Sequence, residues 1–539
     1  MLHRDGEMGS AESRVEHIQD VSHLVTELRD SGLFGCGPRL IEVRQTHASV
    51  VFLTPSDVYK LKKPVNLGFL DYSTLRRRAL MARREVDLNR RLAPSVYLGV
   101  KRLVRAPDGS LGFSDRGPAV DYLVHMRRLP DQSSLAARVA SAEASEADVR
   151  RVARRIAAFH AAAAPGPARY GSGALLWRNA SENLASLDSP AGRLLARPMG
   201  EEVGAFLRDF LHSRKEALAA RVAAGKVKDG HGDLRCEHVY FEGDAIQIID
   251  CIEFCSRFRF GDVALDLAFL AMDLAVAGCP RLARALVEEY ELASGDGLAA
   301  LMPFCMSYRA TVRSKVALVR AGEPEFGVAG QGSACLEAAR YLYAALRFSR
   351  GDETPWLVAV GGLTGSGKTT AARLLSAVLP AGVVSADETR KRLAGLGPDE
   401  HRYLPAGEGL YSAEMNRAVY RRLAERAEAA LRRGEWAILD ATYRRRADRE
   451  ALRELARRLG ARFLFVECTA PEEVVRARLA GREARGGDPW SDGTWETYRS
   501  QQASFEPLAG PERADSMVLP TALGQMEQAN RVLGRLAYA

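Results

Sequence analysis

Residues 362–370, Gly362-Leu363-Thr364-Gly365-Ser366-Gly367-Lys368-Thr369-Thr370, place glycines, a lysine and hydroxyls at the spacing Gly-x-x-x-x-Gly-Lys-Thr. Glycines let main-chain N–H groups close around phosphate oxygens, and a helix starting at the lysine adds the positive end of its dipole. The context is right for this chemistry. An apolar run at 357–360 reads as a buried strand leading in, and 371–375 is a good helix former leading out. Lys368 is then expected on the β- and γ-phosphates of a nucleoside triphosphate, and the Thr369 hydroxyl on Mg²⁺.

Further acidic and basic residues stand where phosphoryl transfer would need them. A second strand at 381–385 runs into Asp387 and Arg390, one helical turn apart. Asp387 is suited to accept the proton of an attacking hydroxyl, and Arg390 to hold an anionic or polar substrate. The competing reading makes Asp387 an ordinary cap of a helix start. Asp440 closes the strand at 436–440 and is a candidate to order the metal's water shell, again with capping as the alternative. Arg478 and Arg482 share a helix face and precede Arg485 and the Gly/Pro segment 486–489. They would neutralise transition-state charge, or else form a solvated basic face. Together these residues resemble the small P-loop kinases: the AAA-named predicted kinases and the kinase module of polynucleotide kinases and zeta-toxin-like proteins. The likeness spans about 355–530 and implies an ATP-dependent phosphotransferase rather than a mechanical NTPase.

A second constellation lies upstream. His231-Gly232-Asp233 is followed by His238, then by Asp250 and Glu253 beyond an expected hairpin at 239–249. This string resembles the aminoglycoside phosphotransferase and protein-kinase-like fold, over about 35–345. The resemblance implies Asp233 as base and Asp250 as metal ligand. It also implies a strand lysine on the nucleotide, with Glu85 as its ion-pair partner and Asp266 bracing the catalytic loop. Alternation puts Lys60 and Lys62 on one strand face, so either fits. His238 stands where the family usually has Asn as second metal ligand. Imidazole suits Mg²⁺ poorly, which leaves open a one-metal site, a preference for Mn²⁺, or binding without catalysis.

The elements needed to hold these residues can be read from pattern. Short β-rich runs surround one helix at 72–92, and a mainly helical stretch covers 145–345. Beyond 356, strands and helices alternate, which predicts a parallel sheet flanked by helices. The fold expected is an α+β bilobal kinase-like domain at 26–347 followed by an α/β P-loop kinase domain at 356–539. A polar segment at 1–25 precedes them, and a linker at 348–355 joins them. The 539 residues carry a net charge of only +8 with both signs interspersed, so dedicated duplex nucleic-acid binding is not indicated. The eight scattered cysteines form no Cys-x-x-Cys or zinc spacing. The charged N-terminus lacks an apolar signal core, and no apolar run is long enough to span a bilayer. These features predict a cytoplasmic protein with no membrane partner.

The function expected is phosphotransfer to a hydroxyl on a small molecule or nucleotide, with a polynucleotide 5′-end less favoured. The alternative is an NTP-binding regulatory switch without a small-molecule acceptor.

Overall fold

Apolar residues at alternate positions build the first sheet. Val50 and Phe52 face Leu61 and Tyr59 across an antiparallel pair, and all four bury with Phe34 and Leu103. The computed structural model describes residues 22–397, 412–484 and 493–538. Residues 1–21, the expected basic position Arg485 and the segment 486–489 lie outside the described residues. The chain divides into two units that interleave in sequence. The first comprises Met1–Ser172, Glu216–Leu270 and Glu289–Asp296; the second comprises Gly173–Lys215, Ala271–Glu288 and Gly297–Ala539.

In the first unit, β1 (Glu42–Gln45), β2 (Ser49–Leu53), β3 (Asp57–Lys62), β4 (Tyr97–Arg105), β5 (Leu111–Phe113) and β6 (Ala119–Arg127) form an antiparallel sheet of order β1-β2-β3-β6-β4-β5. Helix α1 (Leu75–Asn89) starts at the Thr74 cap and lays Ala82 and Val86 against Tyr97, Val124 and Met126. That packing buries Glu85 completely, so its carboxylate must be paired. Helix α2 (Glu146–Ala162) opens with a Ser145/Asp148 capping box and buries Val149, Val152, Ile156 and Phe159, the residues whose spacing marks it as a helix. The expected hairpin is present as β8 (Val239–Glu242) paired with β9 (Ala245–Ile248), between the short strands β7 (Val227–Asp229) and β10 (Phe260–Asp262).

The second unit contains the long helices α3 (Met302–Ala321) and α4 (Gly327–Arg350) and a five-stranded sheet. Gly351, at φ 62, ends α4, and the Arg347 guanidinium lies over the Trp436 ring while donating to the Asp352 and Thr354 carbonyls. The sheet consists of β11 (Trp356–Gly361), β12 (Val383–Ser385), β13 (Ala437–Asp440), β14 (Arg462–Thr469) and β15 (Ser516–Pro520). Its order is β12-β13-β11-β14-β15, and every pair is parallel. All six residues of β11 are buried, as a central parallel strand requires. Connecting helices α5 (Lys368–Val378), α6 (Ala386–Leu393), α7 (Ala413–Arg432) and α8 (Arg446–Arg458) follow β11, β12 and β13. Helices α9 (Glu472–Ala484), α10 (Trp495–Ala503) and α11 (Gln525–Ala537) complete the unit. The residues that leave β11, β12 and β13 at their carboxyl ends therefore gather on one edge of the sheet, where ligands bind in open α/β folds. Among the described residues, no helix is long and apolar enough to cross a membrane.

Candidate phosphotransfer sites

The loop from β11 to α5 owes its shape to glycine. Gly365 and Gly367 adopt φ of 75° and 89°. A Cβ on Gly367 would lie 2.9 Å from Thr521 Oγ1 and 3.0 Å from Arg478 Nη1. The Gly362 N–H donates to the Thr442 carbonyl at 3.2 Å, which ties the loop to the end of β13.

Asp440, the last residue of β13, is 2% exposed, and its Oδ1 has no hydrogen-bond partner among the described residues. Burial pushes the carboxyl up to about 6, against the pull of Lys368 and of the Thr369 hydroxyl, while the charge of Asp387 adds to the push. Lys368, Thr369, Asp440 and Asp387 thus interact within one small volume. A buried carboxylate oxygen with no donor on its lone pairs fits a cation shared with phosphate oxygens. Among the described residues no group of three or more His, Cys, Asp or Glu side chains is arranged to hold a metal alone. A metal bound through one or two protein oxygens plus phosphates is the usual Mg²⁺ arrangement.

The raised value gives a pH prediction. Between the ordinary carboxyl value near 4 and about 6, the folded protein binds this proton more tightly than the unfolded chain does. Asp440 therefore makes stability fall as pH rises through that window. Without divalent metal, Asp440→Asn is expected to be more stable than the parent at pH 8, by up to about 3 kcal/mol. The difference should vanish near pH 4. Thermal unfolding across pH checks this, and a parent at least as stable as the variant at pH 8 would contradict an orphaned carboxylate.

Asp387 does not cap α6. Ser385 is the N-cap residue, and Asp387 Oδ1 instead accepts from Arg390 Nη1 at 2.6 Å. Arg390 Nη2 donates to Asn416 Oδ1 of α7 at 3.1 Å. The guanidinium is largely buried, whereas the Asp387 side chain keeps 27% exposure. Arg390 is therefore placed to orient Asp387. Arg478 donates to Thr521 Oγ1 at 2.9 Å and to the Thr521 carbonyl at 2.8 Å, so its guanidinium is docked on the segment leaving β15. Arg482 lies one turn further along α9.

In the first unit, Asp266 Oδ2 and Oδ1 accept from the His231 and Gly232 N–H groups at 2.6 and 2.8 Å, fixing the loop that carries Asp233. Burial depresses His231 to about 4, with Asp266 opposing that shift. Lys60 Nζ lies 2.6 Å from Asp250 Oδ1 and 2.9 Å from Glu85 Oε1. Lys62 lies deeper, 1% exposed, with Glu85 Oε2 at 2.6 Å and with Glu253 and Tyr72 as further partners. Both lysines reach Glu85, and of the two, Lys60 is the one beside Asp250. Burial raises the Asp250 carboxyl, but the Lys60 ammonium beside it pulls the other way, and the group is held well below the usual range.

Asp250 is also conformationally strained, with φ 66. Two bonds hold it there: the Asp250 N–H donates to the Tyr97 hydroxyl at 3.1 Å, and the Cys251 N–H to Asn89 Oδ1 at 2.8 Å. His238 Nδ1 lies 2.8 Å from the Asp233 carbonyl, which only accepts, so Nδ1 carries a proton. Its Nε2 is left facing Asp250 Oδ2 at 3.7 Å and Arg235 Nη2 at 3.3 Å. Arg235 also grips both Asp233 oxygens, at 3.0 and 3.1 Å.

Several of these partners escape sequence reasoning. Arg235 stands two residues beyond Asp233 and could have been found from that offset. Asn416, Tyr97 and Tyr72 are common residue types far away in sequence and give no signal.

Residues 71–304 match the Phosphotransferase enzyme family, and residues 357–508 match the AAA domain family. The Uncharacterized protein Rv2004c of Mycobacterium tuberculosis is 32% identical over 454 residues, which cover 83% of this chain and 87% of that protein. The chain belongs to the same family. Uncharacterized protein Mb2027c of Mycobacterium bovis matches to the same extent. This chain joins an α+β kinase-like domain to an α/β P-loop domain. Asp233 and Asp250 fall inside the first matched segment, and the P-loop, Asp387, Asp440 and Arg478 inside the second. Lys60 and Lys62 precede the first matched residue. Among solved structures, a sugar kinase from Janibacter sp. is 25% identical with a TM-score of 0.27, covering 34% of this chain and 96% of its own. A putative aminoglycoside phosphotransferase from Ralstonia eutropha is 14% identical with a TM-score of 0.35, covering 58% and 93%.

Proposed function

We propose that this chain is an ATP-dependent phosphotransferase whose P-loop site transfers the γ-phosphoryl group to a hydroxyl acceptor, with a second kinase-like nucleotide site in the N-terminal module. The two modules are taken as 26–347 and 356–539, joined through 348–355. One observation carries the reading: Lys368, Thr369, Asp440 and Asp387 interact at one sheet edge, with the Asp440 Oδ1 buried and unpartnered among the described residues. That set supplies what phosphoryl transfer needs, a cation on the phosphates, a metal-holding carboxylate and a base for the nucleophile.

Lys368 holds the β- and γ-phosphates, and loop N–H groups orient them. Thr369 and Asp440 would hold Mg²⁺, which when bound neutralises phosphate charge. Asp387, oriented by Arg390 and Asn416, takes the proton of the acceptor hydroxyl. Arg478 and Arg482 lie on the helix beyond β14 and add positive charge beside the loop. An acceptor screen with labelled ATP on the full chain tests the reading. Label should pass to a hydroxyl compound, small molecule or nucleotide, and transfer should be lost in Lys368→Ala. Slow hydrolysis that no acceptor stimulates would favour a regulatory switch instead.

In the N-terminal module we assign Lys60 to the nucleotide phosphates, Asp250 and His238 to the metal, and Asp233 to the acceptor proton. Lys62, buried between Glu85 and Glu253, keeps Glu85 in place. Read in the Lys368→Ala chain, so that the P-loop is silent, Asp250→Ala should weaken metal-dependent nucleotide binding by about tenfold or more. Asp233→Ala should leave that binding unchanged. If His238 Nε2 ligates, Mn²⁺ should support binding better than Mg²⁺, and His238→Asn should reverse the preference. Calorimetry with each metal decides; equal binding by parent and Asp250→Ala would remove the metal assignment.

A further inference from the structure

One residue outside every motif touches the phosphate loop directly. The Thr364 main-chain N–H donates to Gln501 Oε1, on α10, at 2.8 Å. A backbone N–H can only donate, so the carboxamide oxygen is the atom facing it, and the Gln501 orientation is fixed by that partner. The amino group Nε2, with two N–H donors, has no hydrogen-bond partner among the described residues, and the side chain is half-buried.

A second contact places the same segment on the same residue. A Cβ on Gly493 would run into Thr364 Oγ1, so glycine lets this segment pass close against the loop. Packing explains why the approach is close. Val475 and Leu479 of α9 and Tyr498 of α10 form an apolar cluster that takes in Leu363 of the loop, and a Cβ on Gly365 would meet Val475 and Leu479. Trp495 stacks on Tyr498 and lies under the Arg476 guanidinium, which stiffens the start of α10. Gln501 is thus delivered by a packed helix to the 363–365 wall of the loop.

That wall is the one distant from the helix terminus. The N-terminus of α5, opened by Lys368 and Thr369, faces the inner phosphates and the metal, and the Lys368 side chain reaches from there toward the β- and γ-phosphates, so Thr364, on the far wall, stands toward the outer end of the phosphate chain. A carboxamide whose oxygen is held there by a loop N–H presents its amino donors to the terminal phosphoryl oxygens.

We propose that Gln501 contacts the γ-phosphate at the P-loop site, with Oε1 clamped by the Thr364 N–H and Nε2 donating to the phosphoryl oxygens. Gln501 then makes the site discriminate a nucleoside triphosphate from a diphosphate, and it couples α10 to the nucleotide state. The proposal rests on nucleotide binding at the P-loop, and the test separates the two.

ADP and a non-hydrolysable ATP analogue are titrated into the full-length parent, Gln501→Glu and Gln501→Ala, with Lys368→Ala reporting any binding away from the P-loop. Gln501→Glu retains an acceptor for the Thr364 N–H but replaces the donors with a negative charge. It should weaken the triphosphate analogue by about tenfold or more and leave ADP within about twofold. Gln501→Ala should move the analogue in the same direction by a smaller factor. If Gln501→Glu weakens both nucleotides equally, Gln501 is only a loop brace and the proposal is overturned; if it changes neither, the proposal is overturned as well. Should Gln501→Ala fold poorly, Gln501→Glu decides alone, because it keeps the clamp. If the parent binds both nucleotides no better than Lys368→Ala does, the P-loop assignment itself fails, and this proposal with it.

Discussion

Lys368→Ala in the full chain is expected to lower acceptor-dependent turnover at the P-loop site by on the order of a hundredfold or more. In the proposed site the ammonium is the cation on the β- and γ-phosphates, and alanine removes it without disturbing the glycines that shape the backbone. Its loss should also be felt by Asp440, whose buried carboxyl is pulled down by Lys368 more than by any other group. In the variant that carboxyl loses its main opposing charge, so metal-dependent nucleotide binding should fail together with turnover. Steady-state kinetics with calorimetry measures both. If turnover and ATP affinity survive together, the N-terminal site carries the activity and the assignment of roles between the modules reverses. The full chain is the right material, because the two units interleave along the sequence.

The parts of this arrangement that sequence makes legible are those where one local constraint decides. The P-loop is one: its spacing, the apolar β11 and the helix former behind it agree, and the structure places Gly365 and Gly367 at φ values that favour glycine. The strand at 436–440 and the alternation of strands and helices around it are legible for the same reason, since burial pattern and the glycines that follow the helices coincide. Strand β15 is not. It is short, ends in Pro520, exposes Val518 and lies at the sheet edge, so it carries neither an apolar run nor alternation long enough to mark it. Missing β15 hides the partner of Arg478, because Thr521 follows directly on that strand. Helical spacing gives the face on which Arg478 and Arg482 lie but not what that face meets. The lysine pair is a similar case. Alternation assigns Lys60 and Lys62 to one face, and only the approach of the 250–253 segment separates them, Asp250 meeting Lys60 and Glu253 meeting Lys62. Long-range pairings of this kind are set by packing between distant segments and leave no local signal.

Asp387→Asn is expected to abolish phosphoryl transfer from the P-loop site, by on the order of a hundredfold to ten-thousandfold, while leaving nucleotide binding nearly intact. Asparagine preserves the shape of the side chain and an oxygen for Arg390, so the pair that now spans 2.6 Å keeps a hydrogen bond. What it loses is the ability to take a proton. A purely structural Asp387 would behave differently. Since Ser385, not Asp387, occupies the N-cap position of α6, removing the carboxylate costs no N-cap bond, and the structural part of the effect comes from the ion pair with Arg390 and the first-turn charge on the helix dipole. That pair is partly exposed on the aspartate side, so its contribution to stability is small. Two readouts therefore separate the roles. A general base predicts a fall in kcat with unchanged affinity for an ATP analogue and an unchanged Tm. A brace predicts a lowered Tm with specific activity per folded molecule preserved. A further variant, Arg390→Lys, keeps a positive charge but not the fork that holds Asp387 and Asn416 together. It should reduce kcat less than Asp387→Asn does, because the base remains and only its orientation is loosened.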